Sequence, residues 1–240
     1  MISVCMATYN GEAWIKIQLD SILEQLGEAD EVVLVDDGST DSTLDVVAAI
    51  DDTRIKVYKN SRNLGVDRTF ERAISLAQGD LLFLSDQDDI WYPDKVGKVT
   101  GLFDSDPTTT LVLSDAAIID AAGKTDGSTY FGDRGKFLPG VVPNLVKSKF
   151  LGCSMAFRAE MAAKSLPFPH PIPGHDMWIG VINEVYGKSR FVDETLIGYR
   201  RHGSNASPYT HQGLWQMLVW RWQLLRGLLM RMVRLLVAGK

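Results

Sequence analysis

Short apolar runs alternate with longer amphipathic stretches along the N-terminal part of the chain. Ile2 to Ala7 is the first run, and it stops at Thr8-Tyr9-Asn10-Gly11, where Asn and Gly signal a turn. Ile15, Leu19, Ile22, Leu23 and Leu26 then fall at i, i+4, i+7, i+8 and i+11, one stripe of a helix. Glu31 to Val35 reads as a buried strand closed by Asp36-Asp37-Gly38-Ser39-Thr40, and a second helix begins near Asp41. Arg54 to Tyr58 is a third strand, Asn60 to Val66 a loop, Asp67 to Gln78 a helix stopped by Gly79, and Leu81 to Ser85 a fourth strand. Strands alternating with helices predict right-handed crossovers and an α/β fold, a mainly parallel central sheet flanked by helices. Ligands of such sheets bind beyond the carboxyl ends of the strands, so the loops after Ala7, Val35 and Ser85 should meet in one crevice.

Beyond Pro93, which is suited to open a helix, the alternation weakens. Leu111 to Ser114, Ala116 to Ile119 and Gly152 to Arg158 suggest strands, and His175 to Tyr186 a helix with Trp178, Ile179 and Ile182 on one face. Pro167, Pro169, Pro171 and Pro173 keep the stretch from Leu166 to Gly174 out of regular structure. The expected organisation is one domain over 1–205, with a first half to about 110 and a second over 111–205, followed by a helical tail over 206–240.

Composition adds one contrast. The 240 residues are 45% apolar and 23% charged, an ordinary globular balance. The net charge of -5 excludes a generally basic nucleic-acid binder. All 30 acidic residues lie within 1–194 beside 18 of the 25 basic ones, whereas Thr195 to Lys240 holds seven basic residues and no acid. Leu214 to Val237 is rich in Leu, Met, Val and Trp but is broken by Arg221, Arg226, Arg231 and Arg234, which spread around more than half of a helix. That favours contact with an anionic membrane surface over a span across the bilayer. Packing on the catalytic domain, or on a second copy as a homodimer, is the other reading. Cys5 and Cys153 sit in apolar runs, as reduced buried thiols do, and the N-terminus has no secretion signal. The expected location is cytoplasmic, peripheral at the inner face of the membrane.

The acids in the loops carry the chemistry. In Asp86-Gln87-Asp88-Asp89, alternate side chains share a direction, so Asp86 and Asp88 can face one point and a divalent cation would relieve their repulsion. An acidic turn capping the following helix is the alternative. Asp36 and Asp37 stand at the matching end of the second strand, either shaping a turn or offering carboxylates to a nucleobase or ribose. Asp176 opens the late helix, as a cap or as a base, and His202 follows Arg200 and Arg201 in a basic segment.

These pieces together resemble the inverting family-2 glycosyltransferases of the GT-A fold, rhamnosyltransferase-like branch. The matching segments are Ala7 to Gly11, Val35 to Asp41, Asn63-Leu64-Gly65, Ser85 to Trp91, Gly152 to Phe157, His175 to Trp178 and Tyr199 to Asn205. The resemblance implies a nucleotide-sugar donor, dTDP- or UDP-linked with dTDP-rhamnose first, bound with Mg²⁺ or Mn²⁺. The sugar would pass with inversion to a hydroxyl of a saccharide acceptor, polyprenyl-linked, in cell-surface polysaccharide assembly. By that likeness Thr8, Tyr9, Asp36 and Asp37 line the nucleoside pocket, Asp37 meeting the base, with Asn63 also on the donor side. Asp88 would bind metal and diphosphate, Asp86 the ribose or a metal-bound water, Asp89 would stand behind them, and His202 would complete the metal shell. Arg200 and Arg201 would meet the diphosphate, and Asp176 would be the general base. Where the family carries Ala-Arg-Asn, this chain has Thr69-Phe70-Glu71 after Arg68, so phosphate contacts from that helix are not implied. Two other enzyme classes fit less well. A sugar-nucleotide pyrophosphorylase would need a Gly-rich basic loop after the first strand, and a dehydrogenase would need GxGxxG there. A catalytically dead scaffold or sugar-binding module has no use for Asp88 and Asp176 together.

Overall fold

The structure, a computed structural model, describes residues 1–203 and 213–238. Its first half follows the alternation of the sequence. Strands β1 (Ile2–Thr8), β2 (Glu31–Asp36), β3 (Ile55–Lys59) and β4 (Leu81–Ser85) enclose helices α1 (Ile15–Leu23), α2 (Thr43–Ala48) and α3 (Val66–Leu76). These strands pair in parallel in the order β3-β2-β1-β4, with Val4 beside both Val32 and Phe83. Helix α1 lies on the core because Ile15, Leu19 and Ile22 share a face, and all three are fully buried.

The second half is mixed. It contains β5 (Ile90–Trp91), α4 (Lys95–Ser105), β6 (Leu111–Ile119), β7 (Thr125–Thr129), α5 (Tyr130–Arg134), α6 (Val141–Val146), a 3₁₀ turn at Gly152–Ser154, β8 (Met155–Arg158), α7 (Ala159–Ser165), α8 (His175–Tyr186) and β9 (Ser189–Arg200). The sheet continues from β4 as β8-β6-β9-β5, with β7 on β6. Here only β6 and β9 are parallel, while β4/β8, β6/β8, β6/β7 and β5/β9 are antiparallel. The two runs expected around Asp115 form one strand, and its register against β9 shifts at that residue. Asp115 explains the shift, since its carboxylate accepts from the main-chain N–H of Ala116 and of Phe131. The helix expected at Pro93 starts two residues later, after a left-handed Asp94.

Helix α9 (Leu214–Ala238) packs back on this half. Leu224, Leu228 and Arg231, at i, i+4 and i+7, are buried. Arg231 donates to the carbonyls of Ser165, Leu166 and Pro167. Arg221 donates to those of Leu145 and Val146. Two of the four arginines are thereby taken up on the inner side, which is why their spread defied a single stripe in the sequence. On the outer side Trp215, Leu218, Trp222, Leu225, Leu229 and Leu236 form an exposed apolar stripe. Among the described residues no helix is long and apolar enough to cross a membrane. Ser204 and Asn205 of the last motif, and the boundary expected at 205/206, lie outside the described residues.

Candidate active site

The loops after β1, β2 and β4 meet, and the residue that joins two of them is Gln87. Its side chain imitates a peptide unit: Oε1 accepts from the Tyr9 N–H at 2.8 Å and the Thr8 hydroxyl at 2.5 Å, while Nε2 donates to the Tyr9 carbonyl at 3.0 Å. Gly11 permits the approach, since a Cβ there would stand 2.4 Å from Gln87 Oε1. Alternation along Asp86-Gln87-Asp88 puts Gln87 opposite the two acids, a signal available in the sequence. The Tyr9 ring is exposed on this rim.

Asp36 and Asp37 are both buried and serve the loops. Asp36 accepts from the N–H groups of Gly38 and Ser39, the turn-forming role. Asp37 accepts from Asn60 Nδ2 at 2.7 Å and from the N–H groups of Leu64 and Gly65, each at 2.8 Å. With three donors on two oxygens at 4% exposure, Asp37 anchors the Asn63-Leu64-Gly65 loop. Asn63 itself is exposed on that loop.

Across the strand ends, Asp88 Oδ2 and His202 Nε2 lie 2.7 Å apart, their side chains 12% and 7% exposed. The His202 ring stacks on Trp14 at 4.1 Å. Asp86 is pushed up to about 7, first by burial, then by the charge of Asp88 and less by that of Asp176, against the pull of His175 and Lys95. These influences gather Asp86, Asp88, Asp176 and His175 into one electrostatic neighbourhood. Asp89 is fully buried and receives the Arg200 N–H on Oδ1; burial, then Asp86 and Asp88, hold it well above the carboxylate range. Beneath it Lys95 donates to the Cys153 carbonyl at 3.0 Å and lies over the Trp91 ring, and burial lowers its amine to about 8.

Two sets of side chains can be weighed as cation ligands. Asp86, Asp89 and Cys153 place donor atoms within 4.8 Å of one another. However, burial keeps the Cys153 thiol protonated, and a hard Mg²⁺ or Mn²⁺ seeks oxygen, so this group is an internal polar cluster. Asp88 and His202, with Asp86 beside them, fit better: carboxylate and imidazole converge from two loops at the cleft, a donor set suited to Mn²⁺.

Arg200 is buried behind the same loop. Its Nε donates to the Asp88 carbonyl at 2.6 Å and its Nη1 to the carbonyls of Asp120 and Ala121, at 2% exposure. It clamps the acidic loop from behind. Arg201 is half-buried and donates to the Tyr199 hydroxyl at 2.8 Å.

Asp176 lies in the first turn of α8, where Gly174 is the N-cap and gives no side-chain bond. The Asp176 carboxylate accepts only from the Met177 N–H at 2.7 Å among the hydrogen bonds described, so capping does not account for it. Burial raises it above the usual carboxylate range, with His175 opposing.

Comparison with known proteins follows the same outline. The sequence model of "Glycosyl transferase family 2" matches residues 3–164. An uncharacterized glycosyltransferase of Nostoc is 28% identical over 215 residues, covering 85% of this chain and 66% of that protein. A dTDP-rhamnosyl transferase of Shigella flexneri is 40% identical over 98 residues, 38% of this chain and 34% of its own. An Escherichia coli UDP-Glc:alpha-D-GlcNAc-diphosphoundecaprenol beta-1,3-glucosyltransferase is 23% identical over 213 residues, 86% of this chain and 80% of its own. The chain spans 62–66% of the length of the first curated relatives it matches. Among solved structures, S. aureus TarS 1-349 in complex with UDP-GlcNAc superposes with a TM-score of 0.64 at 20% identity, over 87% of this chain and 61% of that one. Glucosyl-3-phosphoglycerate synthase of Mycobacterium tuberculosis, in complex with Mn²⁺, UDP and glucosyl-3-phosphoglycerate, gives 0.59 at 22% identity, over 96% and 79%. At these identities the structures establish the fold.

Proposed function

The chain belongs to glycosyl transferase family 2, and on that premise we propose that it is an inverting, cation-dependent transferase moving rhamnose from dTDP-rhamnose to a hydroxyl of a polyprenyl-linked saccharide. The observation that supports the mechanism is the mutual electrostatic influence of Asp86, Asp88 and Asp176, with His202 2.7 Å from Asp88. Such repulsion is relieved by a cation on one side and by a proton acceptor's work on the other.

Residues 1–110 hold the donor, with Tyr9 on the rim, Thr8 fixed by Gln87 and Asn63 on the loop anchored by Asp37. Asp88 and His202, with Asp86, would hold Mn²⁺ or Mg²⁺, which when bound offsets the charge of the leaving diphosphate. Arg201 stands at the same end of β9. Residues 111–205 supply the acceptor side. There Asp176 accepts the proton of the incoming hydroxyl, and its raised affinity for a proton suits that work. The Shigella flexneri likeness supports the rhamnosyl donor, and the Escherichia coli likeness supports a lipid-diphosphate acceptor. The 206–240 segment would rest on the cytoplasmic face of the membrane through the outer stripe of α9. Its five basic residues and no acidic one suit anionic lipid.

A thermal-shift panel of dTDP-rhamnose and UDP-sugars, with and without Mn²⁺, tests the donor: the largest stabilisation should come from dTDP-rhamnose with metal. Asp176→Asn tests the base. It should keep metal-dependent donor binding and lose turnover by about 10³-fold or more. Transfer at the parental rate would remove Asp176 from the role.

A further inference from the structure

Helix α3 reaches across to the acceptor side with three consecutive positions of one face. Asp67 Oδ1 accepts the main-chain N–H of His175 at 2.8 Å and lies 3.2 Å from His175 Nδ1. Phe70, one turn on, stacks on the His175 ring at 4.1 Å and an interplanar angle of 19°. Glu71 takes the Phe168 N–H and His170 Nε2, both at 2.8 Å. The proline-rich segment before α8 is thus gripped at Phe168, at His170 and at its end. The other ring nitrogen of His175, Nε2, is buried without a partner, and a Cβ on Gly152 would stand 2.9 Å from it and 3.5 Å from Asp176 Cβ. Backbone is kept clear beside an imidazole atom that makes no hydrogen bond among the described residues, an arrangement that disfavours burial. Packing alone would be served as well by an apolar ring.

We propose that Asp67 and His175 are positioning residues for Asp176: Asp67 fixes the His175 ring with Nδ1–H toward α3, and the ring in turn sets the orientation and charge environment of the neighbouring carboxylate. The proposal rests on the reading of Asp176 as the base. The charged and titratable groups around the pair come from four elements. Asp67 is on α3, Asp86 is in the loop after β4, Asp176 is on α8, and Tyr130 on α5 feels the charge of Asp176. His175 is raised above the ordinary histidine value: burial opposes its charge, and Asp67, Asp176 and Asp86 outweigh that. In Asp176 the lowering by His175 exceeds the raising by Asp67, so a His175 that loses its proton leaves Asp176 harder to ionise.

The test needs no substrate. Long-range ¹H–¹⁵N spectra of the histidine rings of the metal-free full chain, with the His175 signal assigned by His175→Gln, report tautomer and titration together. The expected result is an Nδ1–H neutral tautomer and a midpoint above the ordinary value. Asp67→Asn, which keeps an acceptor oxygen for the His175 N–H, should move the midpoint down by about 1 pH unit. Asp176→Asn should also move it down, while Phe70→Leu should change the ring's chemical shift and leave the tautomer in place. An Nε2–H tautomer, or a His175 midpoint indifferent to both Asp67→Asn and Asp176→Asn, overturns the proposal even where the folded spectrum is retained. The outcome is separable from the base assignment. An Asp176→Asn protein that transfers sugar normally overturns the base, whereas an inactive one with an unmoved His175 signal overturns only the coupling.

Discussion

The two sides of the cleft are built on opposite terms. At the end of β2 the acids are satisfied by the fold: Asp36 accepts N–H groups of its own loop, Asp37 those of the loop before α3, and Gln87 completes both hydrogen bonds of a peptide mimic. At the end of β4 and the start of α8, Asp86, Asp89 and Asp176 are held above their ordinary pKa range, and His175 Nε2 is buried without a hydrogen-bond partner among the described residues. The first arrangement makes a rigid rim. The second leaves a charge imbalance that only a ligand, a cation or a proton can relieve, which is where chemistry has a driving force.

Substitutions sharpen that contrast. Asp88→Ala should have the largest effect on ligands, abolishing Mn²⁺-dependent nucleotide binding in calorimetry, with His202→Ala losing about 10–100-fold in metal affinity. Binding of metal at parental strength by both variants would refute the ligand assignment. Asp37→Ala should instead strike the fold, costing about 3 kcal/mol in denaturant unfolding, because Asn60 and two N–H groups lose a charged acceptor. A loss of nucleotide affinity without loss of stability would instead place Asp37 in the base pocket.

The pH response should differ as well. Asp86 has its folded pKa raised to about 7, so its contribution to stability is present below the unfolded value near 4 and is lost as pH rises toward 7. In metal-free protein the melting temperature should therefore decline across that window, and Asp86→Asn or added Mn²⁺ should flatten the decline. An identical slope in Asp86→Asn would contradict this. The smallest expected effect is at α9. Replacing Trp215, Trp222 and Leu229 with Ser should reduce recovery on phosphatidylglycerol vesicles about tenfold while leaving nucleotide binding and Arg231's contacts intact. Loss of a dimer in light scattering, with vesicle recovery unchanged, would identify a second copy as the occupant of the stripe.

Much of the first half was legible in the chain because its elements are signalled locally. Apolar runs end in turn residues, and parallel pairing follows from the alternation. The second half was harder to read, since its strands pair antiparallel across long separations and β8 enters between β4 and β6. The pairing of aspartates with a cleft was visible in the motifs. What each carboxylate touches was not: the donors to Asp37 lie on a loop 23 to 28 residues away, and Asp67 meets His175 across 108. The burial of Arg200 likewise depends on carbonyls near Ala121 that no periodicity announces.

One modest element gains weight from this layout. Strand β5 is two residues long, and its pairing of Ile90 with Gly198 fastens the far margin of the sheet immediately after the Asp86–Asp89 loop. That loop leaves the middle of the sheet at β4 and must stride past three strands to reach the margin, where His202 emerges from β9. On the proposed reading, a cation held by Asp88 and His202 would tie the loop after β4 to the segment that follows β9.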